Sequence, residues 1–263
     1  MIYSSKKLLI FFLIFFTGKL FAQDAATLLK YERRSDTLVM KLKSKAISDE
    51  EKKELKNIAY GIQNHGQLLA DQLGEYATSL KYIDKAIELF ISLEDTVSEA
   101  NNRKFKAFEL GMLGYYPAAK AEGKTAIRLY SIKNNPAGVA VSQLDLCRVY
   151  DQEQNLDSAI YFCKLSLNYW KSTTNNFRIF GMQMMLIHLF TASKQYDDAK
   201  LIQKDCEKFI GNKDIGPREL KDLYMVLIKL YKATNQNDQE KIYRQKLKEI
   251  ENDAGQYKSY YEL

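Results

Sequence analysis

The chain is poor in the residues that sheets and catalysis call for. Only three prolines and two histidines occur in 263 residues. No alternating run rich in Val, Ile and Thr is bounded by turn residues, so nothing reads as a strand. His65 and His188 stand far apart. There is no His-Glu-x-x-His run, no Gly-x-Ser-x-Gly elbow and no phosphate-cradling Gly-Lys-Ser/Thr loop. Asp and Glu are plentiful but scattered, as on a solvated surface. The expectation is a non-enzyme with no catalytic residue, no metal site and no cofactor. Three cysteines, Cys147, Cys163 and Cys206, form no Cys-x-x-Cys pair. In an oxidising compartment an odd number leaves at least one unpaired. Each stands where a small or apolar residue fits, as a buried thiol does; a bridge between Cys147 and Cys163 is the exception to consider.

Charge of one sign is also scarce. The formal net charge is +6, and setting aside Lys6, Lys7 and Lys19 at the N-terminus leaves +3. No basic cluster carries interleaved aromatics, so nucleic acid is not an expected partner. Long apolar runs are absent except for Leu8 to Phe16, which follows Lys6 and Lys7 and is followed by Leu20-Phe21-Ala22. A positive start, a short apolar stretch and a small residue at its end describe a secretory signal peptide, with cleavage expected after Ala22. The run is too short to span a bilayer, which takes roughly 20 apolar residues. No later segment is apolar enough to cross one. The mature chain is therefore expected to be exported, to a bacterial periplasm or beyond the cell, without a membrane span.

What is present in quantity is a repeat. Four stretches share one pattern at a spacing of 40 residues: Gly74 to Phe90, Gly114 to Tyr130, Gln154 to Trp170 and Lys194 to Ile210. Their anchors are Tyr76, Tyr116, Leu156 and Tyr196. Three residues on stand Ser79, Ala119, Ala159 and Ala199, and ten residues on Ala86, Ala126, Ser166 and Cys206, all small. Bulky pairs such as Leu89 with Phe90 and Tyr169 with Trp170 follow. These offsets fall on one helical face. A second apolar stripe lies upstream of each anchor, well kept in the third and fourth units (Leu146, Cys147, Tyr150; Leu186, Ile187, Phe190) and poorly in the first two. Each unit then reads as a helix, a short turn at Gly74 or its equivalent, and a longer helix. A fifth unit follows with Asn237 as anchor. Its second helix keeps only Ile242, Tyr243, Leu247 and Ile250 as an apolar face, which suits a terminal cap. Upstream, Asp36 to Ile47 is expected to be the second helix of a degenerate leading unit, and Ser48-Asp49-Glu50-Glu51 a capping box.

The Gly-x-Tyr-x-x-small turn, the small residue seven further on and the Leu-small-x-x-Tyr run (Leu146, Cys147, Tyr150) resemble the tetratricopeptide repeat. The resemblance covers roughly Glu50 to Glu251, in units longer than the usual 34 residues or so. It departs at Ser79, at Gly123 inside a helix, and at Gln154 and Lys194 where the turn glycine belongs. It implies an all-α chain, a right-handed α-solenoid of stacked antiparallel helix pairs. The expected organisation is a signal peptide at 1–22, degenerate leading helices at 23–49, an array of about five units at 50–251 and a tail at 252–263. The aromatic tail could fold onto the last helix, fray, or offer a docking segment.

The resemblance also implies that the first helices line a concave groove where a protein or peptide partner docks. Eight residues before the anchors stand Phe108, Arg148, His188 and Lys229; twelve before stand Lys104, Met184 and Met225. Basic donors there could meet carboxylates on an extended segment, while Met and Phe adapt to apolar side chains. The same positions equally suit ordinary solvated or packing residues, and Asp71, Asp145 and Asp151 dilute the positive field. The Met182, Met184 and Met185 run serves either as core filling or as an adaptable groove. The implied role is a non-enzymatic interaction scaffold of the bacterial cell envelope, linked to signalling. The alternative is an accessory or assembly factor for an envelope or cell-wall enzyme complex.

Overall fold

The computed structural model describes residues 27–254 of the chain. The expected signal peptide and the aromatic residues 255–263 lie outside the described residues. Helix α1 covers 27–43. There follow α2 (Asp49–Leu73), α3 (Tyr76–Ser92), α4 (Thr96–Met112), α5 (Tyr116–Ile132), α6 (Pro136–Gln152), α7 (Leu156–Lys171), α8 (Asn176–Ala192), α9 (Tyr196–Glu207), α10 (Pro217–Ala233) and α11 (Asn237–Ala254). Among the described residues there is no strand. No helix of theirs is long and apolar enough to cross a membrane.

Each anchor opens a helix: Tyr76, Tyr116, Leu156, Tyr196 and Asn237 are the first residues of α3, α5, α7, α9 and α11. The turns before them share one backbone shape. Gly74 and Gly114 have φ of 68° and 80°, and Gln154, Lys194 and Asn235 adopt φ of 63°, 60° and 55° at the matching places. Only glycine enters this left-handed region without steric cost, so the last three hold it because the helices on either side dictate the path. The first helices begin on a second periodic signal. The side chains of Asp95, Asn135 and Asn175, spaced 40 residues apart, accept from the amides of Ser98, Gly138 and Arg178 at 3.1, 2.9 and 3.0 Å. Each satisfies one donor that a helix start leaves without a partner. Ser48 and Glu51 form the expected capping box on α2.

The chain divides into two compact units, the first ending at Asn102 and the second starting at Arg103. In unit 1, α2 packs on α3, around a small core that includes Leu38, Leu55, Ile62, Leu89 and Phe90. Unit 2 is a run of neighbours: α5 on α6, α6 on α7, α7 on α8, α8 on α9, α10 on α11, with α8 also on α10. One continuous core threads them, including Leu146, Trp170, Phe180, Leu189 and Leu223. The small positions explain how the helices come so close. Ala119, Ala126, Ala159, Ser166, Ala199 and Cys206 are all fully buried. Ser166 keeps its hydroxyl satisfied by donating to the Ala140 carbonyl at 2.8 Å. A methyl group on Gly123 would stand 2.6 Å from the Leu146 side chain, so a side chain there would force Leu146 to shift.

Several details depart from the sequence reading. The second helix of a unit is not the longer one, since α4 to α8 run 16 or 17 residues each and α9 only 12. α9 stops at Glu207, so Phe209 and Ile210 follow it in a turn, and Ile210 is exposed. The leading helix covers 27–43 instead of Asp36 to Ile47, which leaves Ala46 exposed beyond its end; the fixed offset of 40 residues fails where the spacing of turns changes. Ile242 is exposed and does not join Tyr243 on the apolar face of α11. Cys147, Cys163 and Cys206 are free and buried. Cys163 donates to the Met182 carbonyl at 3.5 Å instead of bridging Cys147.

Candidate functional site

In unit 2 the first helices of successive hairpins, α6, α8 and α10, border a cleft of about 320 Å³. That is near the lower end of ordinary ligand pockets. From α6 come Leu144 and Arg148. From α8 come the apolar floor of Phe180, Met184 and Met185, and the exposed rim residue Phe177. Gly181 opens the floor, since a Cβ built on it would meet nothing within 4 Å. From α10 come Arg218, Glu219 and Asp222.

Cations and carboxylates share this cleft unequally. Arg148 donates to Asp145 at 3.1 Å, which satisfies part of its charge. Glu219 turns back to accept from the Gly216 amide at 3.1 Å and caps α10. Arg178, in the first turn of α8, has no carboxylate partner among the described residues; its guanidinium lies over the Trp170 ring at 5.6 Å. Arg218 is exposed and likewise lacks a carboxylate partner there. Lys104 reports on the field. Burial pushes its ammonium below the ordinary lysine value, Asp145 opposes that shift, and repulsion from Arg178 and Arg148 adds to it. The starts of α8 and α10 add the partial positive charge of helix N-termini.

The residues singled out in the sequence divide into two groups. Arg148 and Met184 line the cleft, and Lys104 feels its arginines. Met225 is half-buried against the core. His188 Nε2 lies 3.3 Å from Asp151. Phe108 is half-buried and Lys229 exposed, and neither lines the cleft. The sequence reading missed Phe177, Arg178, Gly181 and Arg218. A signal for two of them was there: Arg178 and Arg218 are 40 residues apart and close behind a helix start. Offsets counted back from the anchors reach the middle and C-terminal turns of the first helices, whereas on α8 and α10 much of the cleft sits towards the N-terminal turns. The methionine run does both jobs considered for it, as Met182, Met184 and Met185 are buried and also line the cleft. Among the described residues no group of three or more His, Cys, Asp or Glu is placed to hold a metal ion.

No protein-family model matches this sequence, and no curated protein matches it. Solved structures do share its fold. The crystal structure of BtubC (BKLC) from P. vanneervenii superposes with a TM-score of 0.67 at 14% identity, covering 87% of this chain and 93% of that one. A protein of Podosopora anserina described as a kinesin light chain with nearly identical TPR-like repeats superposes at 0.62 and 11% identity, covering 77% and 99%. Both are helical-repeat structures of nearly the same extent. The fold of this chain is TPR-like.

Proposed function

We propose that this chain is a non-catalytic docking module whose unit 2 holds a segment of a partner protein in the cleft between α6, α8 and α10. The observation that carries the reading is the pairing of an apolar floor with arginines that lack carboxylate partners. Such a surface is costly to leave bare and gains from an occupant that is apolar in one part and acidic in another. A TPR-like array supports it, because each hairpin leans only on its neighbours and leaves an extended inner surface for a partner. Affinity purification with the wild-type chain, compared with Arg178→Ala/Arg218→Ala, tests the reading. The double variant should lose the partner while keeping its helical circular dichroism and its melting temperature within a few degrees. Retention of the same partner at the same yield would sink it.

The setting we propose is the bacterial cell envelope, reached by export. Support comes from Lys6 and Lys7 ahead of the apolar run Leu8 to Phe16. N-terminal sequencing of the protein recovered from cell fractions checks this, with Gln23 expected as the first residue of an extracytoplasmic form. A cytoplasmic chain that retains Met1 to Ala22 would refute it. Within the envelope, a role beside a signalling receptor is the reading we favour. A role in assembling a cell-wall enzyme complex is separated from it by the identity of the purified partner.

A further inference from the structure

The second helices of unit 2 carry a surface that the cleft does not use. We propose that two copies of this chain associate through the exposed faces of α7, α9 and α11, about a two-fold axis that runs across these helices along a row of bare apolar residues. The inference is independent of the cleft and of what docks there.

The first observation is the row itself. Counted from the first residue of α7, α9 and α11, the fifth residue on is Tyr161, Leu201 and Ile242, spaced 40 and 41 residues apart. These side chains are 58%, 63% and 46% exposed. Single exposed apolar residues are ordinary on any protein surface. The same register on three successive hairpins makes a row instead. It is not the seam that a following hairpin would close, because α7 and α9 are each followed by a further hairpin and still leave theirs bare. The row stops at α5, where Ala121 holds the place.

The second observation is the order of charge on either side. About one turn before the row stand Asp157, Asp197 and Asp238, all exposed. About one turn after it stand Lys164 and Lys204, also exposed, with Gln245 at the third place. Helix starts favour acids, so the acidic residues have a local reason as well. None of these five charges pairs with an opposite charge among the described residues; Lys164 lies over the Phe190 ring at 5.1 Å. Other charges nearby are matched locally. Lys208 pairs with Asp205 and Arg244 with Glu240, both at 2.6 Å, and Glu249 accepts from Gln245 at 3.1 Å. Asp198 adds to the acidic side, Lys200 and Lys241 stand next to the apolar row, and Lys248 lies beyond the basic side. The face is therefore nearly neutral as a whole, and what it offers is a sequence of stripes: acidic, apolar, basic.

That order is self-complementary. In a two-fold dimer the same patch serves both copies, so it must match itself when turned over. Turning one copy about an axis along the apolar row lays Tyr161, Leu201 and Ile242 on their own counterparts. It also carries the acidic stripe of one copy onto the basic stripe of the other, Asp157 facing Lys164 and Asp197 facing Lys204. Turning it about an axis along the helices would set acid against acid and base against base, which costs free energy. The charge order thus selects one axis, with the helices antiparallel across the contact. Three helix faces give a contact at the lower end of specific interfaces, so the dimer is weak and depends on concentration. Its ion pairs lie at the rim and fix the orientation, while the apolar row supplies the attraction.

Sedimentation equilibrium of the purified chain at low salt tests the proposal, with concentrations up to about 1 mM to reach a weak dimer. Leu201→Asp sets two carboxylates face to face on the axis and should weaken association by about tenfold or more. Asp197→Lys and Lys204→Asp should each weaken it several-fold, and the two together should restore it, because the reversed stripes match again. Leu201→Cys should give a disulfide-linked dimer on mild oxidation, since each copy meets the same position of the other; Ile132→Cys, an exposed position on α5, should not. All four positions are exposed, and circular dichroism confirms that each variant keeps its fold. A chain that stays monomeric throughout the range overturns the proposal. So does a dimer indifferent to Leu201→Asp, and so does a charge-reversed double variant no better than either single one. None of these results touches the docking reading, which the purification experiment decides.

Discussion

The first and last helices of the described chain are held by different chemistry. In unit 1, α1 buries Leu38 in the core and is tied to its neighbours at the edge of that seam by ion pairs. Arg34 donates to both oxygens of Glu54, at 2.9 and 2.7 Å, Lys41 pairs with Glu51, and Lys85 reaches Asp36 at 2.9 Å. These groups are largely exposed, so water and salt weaken each of them. In unit 2, α11 is tied by rings. Tyr243 is buried between Tyr224 and Tyr231, with both centroids 5.4 Å away, and its hydroxyl donates to Glu207 on α9. Lys246 lies over the Tyr243 ring at 4.6 Å. An array of hairpins must close its apolar seam at each end. The comparison teaches that an apolar seam can be reinforced at its edge by exposed ion pairs or by packed rings, which differ in their response to acid.

The largest expected effect breaks the aromatic closure. Tyr243→Ala removes a buried ring and leaves Glu207 without its donor, and should cost about 3 kcal/mol in urea denaturation. A cost like that of a surface substitution would mean that α11 is not what seals unit 2. Next comes a control away from both ends. Gly123→Ala improves helix propensity but drives a methyl into Leu146, and should destabilise by ~1–3 kcal/mol. Stabilisation instead would show that α5 and α6 have room to spare.

The third prediction uses pH. Burial raises the Tyr130 phenol to about 12, and raises Tyr224, Tyr231 and Tyr243 as well. Burial does the same to the Cys206 and Cys147 thiols. Groups whose folded value is raised add stability below their ordinary value and lose it as pH climbs through the folded one. Unit 2 should therefore weaken above about pH 10. In unit 1 the carboxylates shift the other way, although hydrogen bonds to Asp95 and Asp36 raise Lys56 and Lys85. Hydrogen bonds from Lys41 and Arg34 hold Glu51 and Glu54 below the ordinary glutamate value. Burial opposes the lowering of Asp95, and the Lys56 and Ser98 bonds outweigh it. Their contribution is present above about pH 4 and fades on further acidification. Hydrogen exchange resolved by segment should find unit 1 opening first in acid and unit 2 opening in alkali. The reverse order would refute the comparison.

The smallest effects concern the turns. Lys194→Gly and Gln154→Gly relieve a left-handed backbone and should stabilise by ~0.5–1 kcal/mol, whereas Gly114→Ala should cost ~1 kcal/mol. Equal melting temperatures across all three would show that these turns relax without strain.

How much of this was legible beforehand follows from what periodicity can and cannot carry. Every anchor opened a helix because small and bulky residues recur on one face, and that pattern is written in the order of residues. The capping box at Ser48 was readable for the same local reason. The cleft was legible only in part. Arg148 and Met184 were found from register, but Arg178 and Gly181 were not, because their significance lies in what stands opposite them. The extent of α1 was also misread, since the offset of 40 residues does not reach back across the longer α2.

The sequence by itself determined a helical array, the start of each second helix and the positions where helices approach closely. Spacing along a helix decides which residues share a face, and the small residues at fixed offsets leave room for one partner only. The tertiary structure alone decided which arginines stay without a carboxylate, where a glycine opens a floor, and that α1 is edged with ion pairs and α11 with rings. Those are properties of residues distant along the chain brought side by side, and no local pattern encodes them.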